Sequence, residues 1–258
     1  MNASRADLVI RRVEGPIARI VMNDPGRANV LSLAMIEALL AALAWADEEA
    51  QARVIVLAAQ GRVFSAGHDL SELVSDEDRA RQSALFHRCS RLMLAIGASK
   101  KPVIAEIAGA AVAAGCQLAA SCDLAYAATS ATFAVSGINL GLFCSTPSVA
   151  LSRMVGRKQA LEMLLTGRFI TAAEAQAVGL INRQASAADL PKLVKETALQ
   201  IAAKDPKAVA LGKSLFRRQI EMGVETAYAA AEEAMADNLA FPSAREGIST
   251  FLARRGAA

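Results

Sequence analysis

The stretch Lys101–Leu124, KPVIAEIAGAAVAAGCQLAASCDL, decides the reading of this chain. Val103–Ile107 is a short apolar run behind a proline and predicts a buried strand. Gly109 then permits a turn. Ala110–Ala120, interrupted only by Gly115, predicts a helix of small residues that can approach its neighbours closely. The first amides of such a helix have no intrahelical acceptor and attract negative charge. Phe64–Leu70, FSAGHDL, has the same character: a strand, small residues, then a helix start. Two such starts facing each other can hold one developing oxyanion between two backbone N–H groups.

Upstream of this stretch, Leu8–Val13 and Ile17–Met22 read as strands joined by a Gly15-Pro16 turn. Asn23–Asn29 is a loop. Ser32 can cap a helix running from Leu33 to about Asp47. Arg53–Ala59 contains a buried strand, and Asp76 to about Ile96 a helix with Leu85, Cys89, Leu92 and Ile96 on one side. Downstream, Cys122–Ala127 and Thr132–Val135 are extended, and Gly137–Pro147 is irregular. Val149–Val155 and Arg157–Leu165 follow as helices. Thr171 and Glu174 form a capping-box pattern, Gly179 stops that helix, and Leu180-Ile181 reads as a β fragment. Leu190–Lys204, Pro206–Glu221, Val224–Asn238 and Ser243–Arg254 are helical, the last with a second capping-box pattern at Ser243 and Glu246. Residues 1–185 therefore predict an α/β core with mostly parallel strands, and residues 186–258 an all-helical region. No internal repeat is visible.

The chain has 258 residues, of which 54% are hydrophobic and only 4% aromatic, enough to build a large core packed by small residues. The scarcity of aromatics argues against single-stranded nucleic-acid binding, and a net charge of +3 gives no polyanion track. No stretch is long and apolar enough to span a bilayer. Cys89, Cys116, Cys122 and Cys144 form no CxxC pair, and with two histidines a metal site is not expected. Reduced thiols and the absence of a leader-like pattern in MNASRADLVI point to the cytoplasm. GxGxxG after the first strand, GxxxxGK[ST] and G-x-S-x-G are all absent, which removes the specific signatures of dinucleotide, P-loop and nucleophile-elbow sites.

Several motifs together resemble the crotonase, or enoyl-CoA hydratase/isomerase, superfamily. SAGHDL at Ser65–Leu70 is similar to its A-G-x-D segment, and Ile107–Ala127 to its second signature. NDPGRANVLS at Asn23–Ser32 resembles its early CoA-side loop, Gly167–Arg183 the segment after its active site, and Ser243–Arg255 its last helix. The resemblance spans residues 8–255 in order. It implies a ββα spiral core, a C-terminal helical trimerisation region, and a homotrimer or dimer of trimers acting on an acyl-CoA thioester. Coenzyme A would enter as part of the substrate, with no permanently bound cofactor.

The resemblance also implies site residues. The oxyanion donors fall on the backbone N–H groups of His68 and Ala114. Arg27, Ala28, Val30, Ala66, His68, Asp69 and Leu70 match the CoA-side segments, and Phe251 in the last helix is a candidate to complete a neighbour's CoA pocket or, equally, a core or interface anchor. The imidazole of His68 is a candidate acid or base, or a cover for the pantetheine; Asp69 reads as a cap for the following helix. The two glutamates that flank the water in hydratases of this family fall on Gln117 and Gly137. Gln117 can orient a water but cannot take its proton, and Gly137 has no side chain. Ordinary hydration is therefore not expected. A non-catalytic acyl-CoA-binding or assembly protein and an acyl-CoA thioester hydrolase stand as alternatives. Cys144 reads as a pocket-lining thiol rather than a nucleophile, and Asn139 as a turn residue or a polar anchor. Restoring carboxylates at both positions is expected to help hydration if the added side chains fit.

Overall fold

A computed structural model describes residues 7–74 and 78–256. The strands are β1 Val9–Glu14, β2 Ile17–Met22, β3 Val54–Ala59, β4 Val63–Ser65, β5 Val103–Ile107, β6 Ala110–Val112, β7 Leu124–Ala128, β8 Thr132–Ala134, β9 Ile170–Thr171 and β10 Arg183–Ala185. The helices are α1 Leu33–Glu48, α2 Leu70–Val74, α3 Arg79–Ala98, α4 Ala114–Ser121, α5 Ser145–Met154, α6 Arg157–Thr166, α7 Ala172–Ala177, α8 Leu190–Ala202, α9 Pro206–Gln219, α10 Val224–Leu239 and α11 Pro242–Gly256. One sheet has six strands in the order β1-β2-β3-β5-β7-β10, the other four in the order β4-β6-β8-β9. Pairing is parallel except at the β1–β2 hairpin and at β8–β9. The fold is mixed α/β, as the sequence predicts.

A repeat that the sequence hides appears in the topology. The pairs β3–β4, β5–β6 and β7–β8 each place their first strand in the larger sheet and their second in the smaller one, and helix follows. Each second strand has only three residues, too few to show periodicity. Ala110–Val112 is one of them and corrects the helix expected from Ala110. Ala111 pairs with Phe133, and Ser65 with Ala111, so sheet pairing overrides the helical preference of alanine. The helix starts at Ala114 instead.

Other boundaries shift for local reasons. The start expected at Asp76 for the third long helix lies outside the described residues; α3 is capped at Asp78, whose carboxylate accepts the Ala80 N–H at 2.8 Å. Ser32 caps α1 through the Met35 N–H, and the Thr171–Glu174 capping box forms. Leu180-Ile181 is no strand; pairing with β7 begins at Arg183. Ser243 lies inside α11, which starts at Pro242, and its hydroxyl bonds the Asp205 carboxylate.

The inner strands β2, β3, β5 and β7 of the larger sheet are buried on both faces, which explains the uninterrupted apolar run of β3. Ile55 and Leu57 face the main core with α1, while Val54 and Val56 face Leu190, Val194 and Ala198 of α8. Beyond α8 the helices bury little: α9 has no fully buried residue and α10 only Ala234. Lys213 and Arg217 nevertheless fasten α9 to the core, both pairing with Asp123 ahead of β7. Among the described residues no helix is long and apolar enough to cross a membrane.

Candidate active site

Two backbone segments meet at the end of the smaller sheet. The first is the turn leaving β4. Its course is fixed by the early loop, where Ala28 and Asn29 adopt positive φ of 54° and 49°. Asn29 is completely buried; its amide donates to the Gln60 and Val63 carbonyls at 2.9 and 2.8 Å, and its carbonyl accepts the Asp24 N–H at 2.9 Å. An asparagine tolerates this left-handed backbone and saturates its own polar atoms. The loop then pairs with the turn: Ala66 N–H donates to Ala28 at 3.0 Å, and Leu31 N–H to Gly67 at 2.7 Å. Sequence reading took Asn29 for an ordinary loop residue. Its one signal was an asparagine closing a Pro-Gly segment.

Arg27 pairs with Asp69 across the same junction. Asp69 also accepts the Ser71 N–H and hydroxyl, at 3.0 and 2.6 Å, and so caps α2 as expected. The Ser71 hydroxyl, with the Arg27 guanidinium, holds its carboxyl below the usual range.

The second segment is the β6–α4 turn. Ala113 sits there at φ 50°, ψ −116°, a conformation few non-glycine residues adopt, and its N–H donates to Ala134 at 2.8 Å. The turn aims the start of α4 past Gly67. A Cβ built on Gly67 would lie 2.9 Å from the Ala113 Cβ and 3.2 Å from the Ala114 nitrogen, with φ at +95°. The two segments are therefore in direct contact. Among the described residues, neither the His68 nor the Ala114 backbone N–H has a hydrogen-bond acceptor.

A cavity of about 330 Å³ opens beside them, lined by Ala66, His68, Leu70, Phe86, Ala114, Gly137, Cys144 and Thr146 among others. Among the described residues that line it, none is a carboxylate. The His68 ring meets the Phe86 ring edge-on at 5.4 Å, and its buried Nε2 has no partner among the described residues. Burial pushes its pKa down to about 4, so the imidazole is neutral at physiological pH. Burial also raises the Cys144 thiol, which disfavours the thiolate, although the Gly137 N–H points at Sγ from 3.3 Å.

Gly137 is closed to substitution. A Cβ there would fall 2.4 Å from the Leu142 carbonyl oxygen and 2.9 Å from the Cys144 Sγ. The same turn is locked by the Leu142 N–H donating to Gly137 at 3.0 Å. The added side chain on which rescue by two glutamates depends therefore does not fit. Gln117 is 4% exposed, with Oε1 lacking a partner among the described residues, and lines a second cavity of about 1020 Å³ rather than the first. Thr146 lines both.

The structure thus brings together Ala66, His68, Leu70, Ala114 and Gly137, with Gln117 next door. Arg27, Ala28, Val30 and Asp69 lie in or beside the early loop, off the walls of both cavities. Phe251 is 58% exposed on α11 and lines neither. The Asn139 amide is 3.5 Å from the Gly167 carbonyl, tying the 3₁₀ turn Ser136–Leu140 to the end of α6.

The Enoyl-CoA hydratase/isomerase family model matches residues 12–258. Enoyl-CoA hydratase domain-containing protein 3, mitochondrial, from Rattus norvegicus is 43% identical over 252 residues, covering 98% of this chain and 84% of the relative. The Homo sapiens protein of that name is 44% identical, covering 95% and 80%. Among solved structures, an enoyl-CoA hydratase of Mycobacterium smegmatis superposes with a TM-score of 0.93 at 49% identity, covering 96% of each chain. Human enoyl Coenzyme A hydratase domain-containing protein 3 also gives 0.93, at 42% identity, covering 96% of this chain and 98% of the other.

Proposed function

This chain belongs to the enoyl-CoA hydratase/isomerase family, and from that premise we propose that it binds an acyl-CoA thioester, with the carbonyl oxygen between the His68 and Ala114 amides, without efficient hydration. The observation that carries the reading is the contact of Gly67 with Ala113–Ala114, which sets two unpaired N–H groups side by side at a cavity wall. Charge on a thioester oxygen, in the ground state and still more in an enolate, is stabilised by such fixed donors. Arg27 stands at the junction as the cation for a CoA phosphate.

Hydration needs a base for the water and an acid for the α-carbon. Gln117 and Gly137 supply neither. Among the described residues lining the smaller cavity, His68, with a neutral imidazole, is the remaining candidate base. Its pKa near 4 makes it a weak one at neutral pH. The alternative of a binding or assembly protein is favoured by the Leu142 oxygen, which fills the place of a side chain on Gly137. Thioester hydrolysis would rest on a positioned water; Gln117 can orient one but cannot take its proton, so this alternative has no comparable support.

Calorimetry with an acyl-CoA panel tests the binding. A thioester ligand should bind more tightly than free CoA, and equal affinity across the panel counts against the amide pair. The exposed apolar residues Leu239, Ile248, Phe251 and Leu252 support assembly through the C-terminal helices. Light scattering should show a trimer or its dimer; a stable monomer that still binds acyl-CoA removes the inter-subunit role of Phe251. Four free cysteines support a reducing compartment; the cytoplasm is the one proposed, and fractionation of the tagged chain into mitochondria would overturn it.

A further inference from the structure

We infer that a basic cavity at the start of β3 and β5 binds a nucleoside carrying two or more phosphates. The amide pair follows the ends of β4 and β6. The basic cavity, about 330 Å³, opens instead where β3 and β5 begin, against the α8–α9 junction, and shares no lining residue with the smaller cavity. Arg53 precedes β3, Lys100 and Lys101 precede β5, Lys204 joins α8 to α9, and Lys207 is the second residue of α9. Among the described residues that line it, none is a carboxylate.

Lysine and arginine are common where helices end, because they offset the partial negative charge of the last carbonyls. Here that task is done by other groups. The Lys101 ammonium donates to the Ala46 and Glu49 carbonyls at the end of α1, both at 2.6 Å. The buried Lys213 ammonium donates to the Ile96 carbonyl in the last turn of α3 at 3.0 Å. The end of α8 is closed by the Ala203 and Lys204 N–H groups on the Leu199 and Ile201 carbonyls. Arg53, Lys100, Lys204 and Lys207 are exposed, and among the described residues none of them forms a salt bridge.

The nearby carboxylates are committed elsewhere. Asp47 accepts the Ser99 hydroxyl at 2.6 Å and Glu49 the Gln51 N–H at 3.1 Å, and both act on Lys101. Burial and the Arg53 guanidinium nevertheless hold the Lys101 ammonium below its usual pKa. Asp205 caps α9 through the Ala208 N–H at 2.8 Å and also bonds the Ser243 hydroxyl. Lys207 stands in the first turn of α9, which has no acidic side chain, so it faces the positive end of the helix dipole. A bound anion relieves that repulsion and the crowding of four like charges around one small cavity. Ala52, Ile201, Val209 and Ala210 give the cavity an apolar floor. A base lies on such a floor while its phosphates reach the surrounding cations.

The test is calorimetry on the full chain in magnesium-free buffer with ATP, ADP, adenosine and inorganic tripolyphosphate. It is repeated on the triple variant Arg53→Gln, Lys204→Gln, Lys207→Gln and on Arg27→Ala. Lys100 is kept, because it also borders the larger cavity. An exposed ion pair is worth up to about five-fold, so the triple variant should lose about ten-fold or more of the ATP affinity, at an unchanged urea midpoint. If that midpoint falls, Lys207→Gln alone should still lose about two-fold or more. ATP should bind more tightly than tripolyphosphate, adenosine should give no measurable heat, and the ATP affinity should fall as salt rises. Arg27→Ala should leave it unchanged. Loss of ATP affinity in Arg27→Ala but not in the triple variant moves the nucleotide to the amide junction and overturns the basic cavity. Tripolyphosphate binding as tightly as ATP overturns the nucleoside, and no binding of ATP or ADP to the wild type overturns the site. Capture by vesicles of anionic phospholipid, lost in the triple variant while ATP binds neither protein, reassigns the patch to a membrane surface.

Discussion

The turn at Ala113–Ala114 and the turn at Gly137–Leu142 border one cavity, and they have opposite characters. The first is held open. Ala113 accepts an unfavourable backbone, and Gly67 gives up a side chain, so that two amides stay unpaired at the wall. The second is closed on itself. Its glycine N–H points at Cys144, its carbonyl takes the Leu142 N–H, and the Leu142 oxygen fills the space a side chain would need. On the proposed reading, the first turn would stabilise charge on oxygen, while the second closes the place from which a second carboxylate would move protons. These two tasks are physically separable, because backbone dipoles stabilise an oxyanion without titrating, whereas proton transfer needs a positioned acid or base.

The sharpest test of that contrast is hydration itself. Short trans-2-enoyl-CoA should be hydrated about 10²- to 10⁴-fold more slowly than by a relative carrying both glutamates, the usual worth of positioned proton transfer. Gln117→Glu alone should gain little. Gln117→Glu with Gly137→Glu should gain nothing and lose about 1–3 kcal/mol of stability in urea titration, from overpacking against Leu142. Fast turnover by the wild type would sink the contrast.

Gly67→Ala attacks the open turn. Positive φ and contact with Ala113 together should cost about 2–4 kcal/mol. Acyl-CoA affinity should fall by at least about ten-fold in the folded fraction, as measured by calorimetry. If binding survives intact, the amide pair is not the cradle.

His68 provides a pH test. Its folded pKa of about 4 lies below the ordinary histidine value, so the unfolded chain binds the extra proton between the two. Stability should be flat above about pH 6.5, fall as pH drops from there towards 4, and level off below. The total is at most about 3.4 kcal/mol. His68→Gln should flatten this segment of the urea-midpoint profile; an unchanged slope would show that another group carries it.

The smallest effect is expected at Arg27. It is half exposed and paired with Asp69, so Arg27→Ala should change stability by less than about 1 kcal/mol. CoA-ligand affinity should drop severalfold, more at low salt than at high. Equal binding at both ionic strengths would leave Arg27 a loop residue.

The sequence alone determined the α/β class, the strand–turn–helix starts at Phe64–Leu70 and Val103–Leu124, and the absence of carboxylates at Gln117 and Gly137. Those features are local: apolar runs, small residues at turns, and residue identity at matched positions. Tertiary structure decided the rest. Ala110–Val112 became a strand because β4 and β8 offered it partners. Asn29 became a buried staple because carbonyls distant in sequence converged on it. Gly137 proved closed because Leu142 folds back over it, and Gln117 was assigned to the larger cavity by the packing of α3, α5 and α9 around α4. Each depends on which distant atoms fill the space around a residue, and no pattern along the chain encodes that.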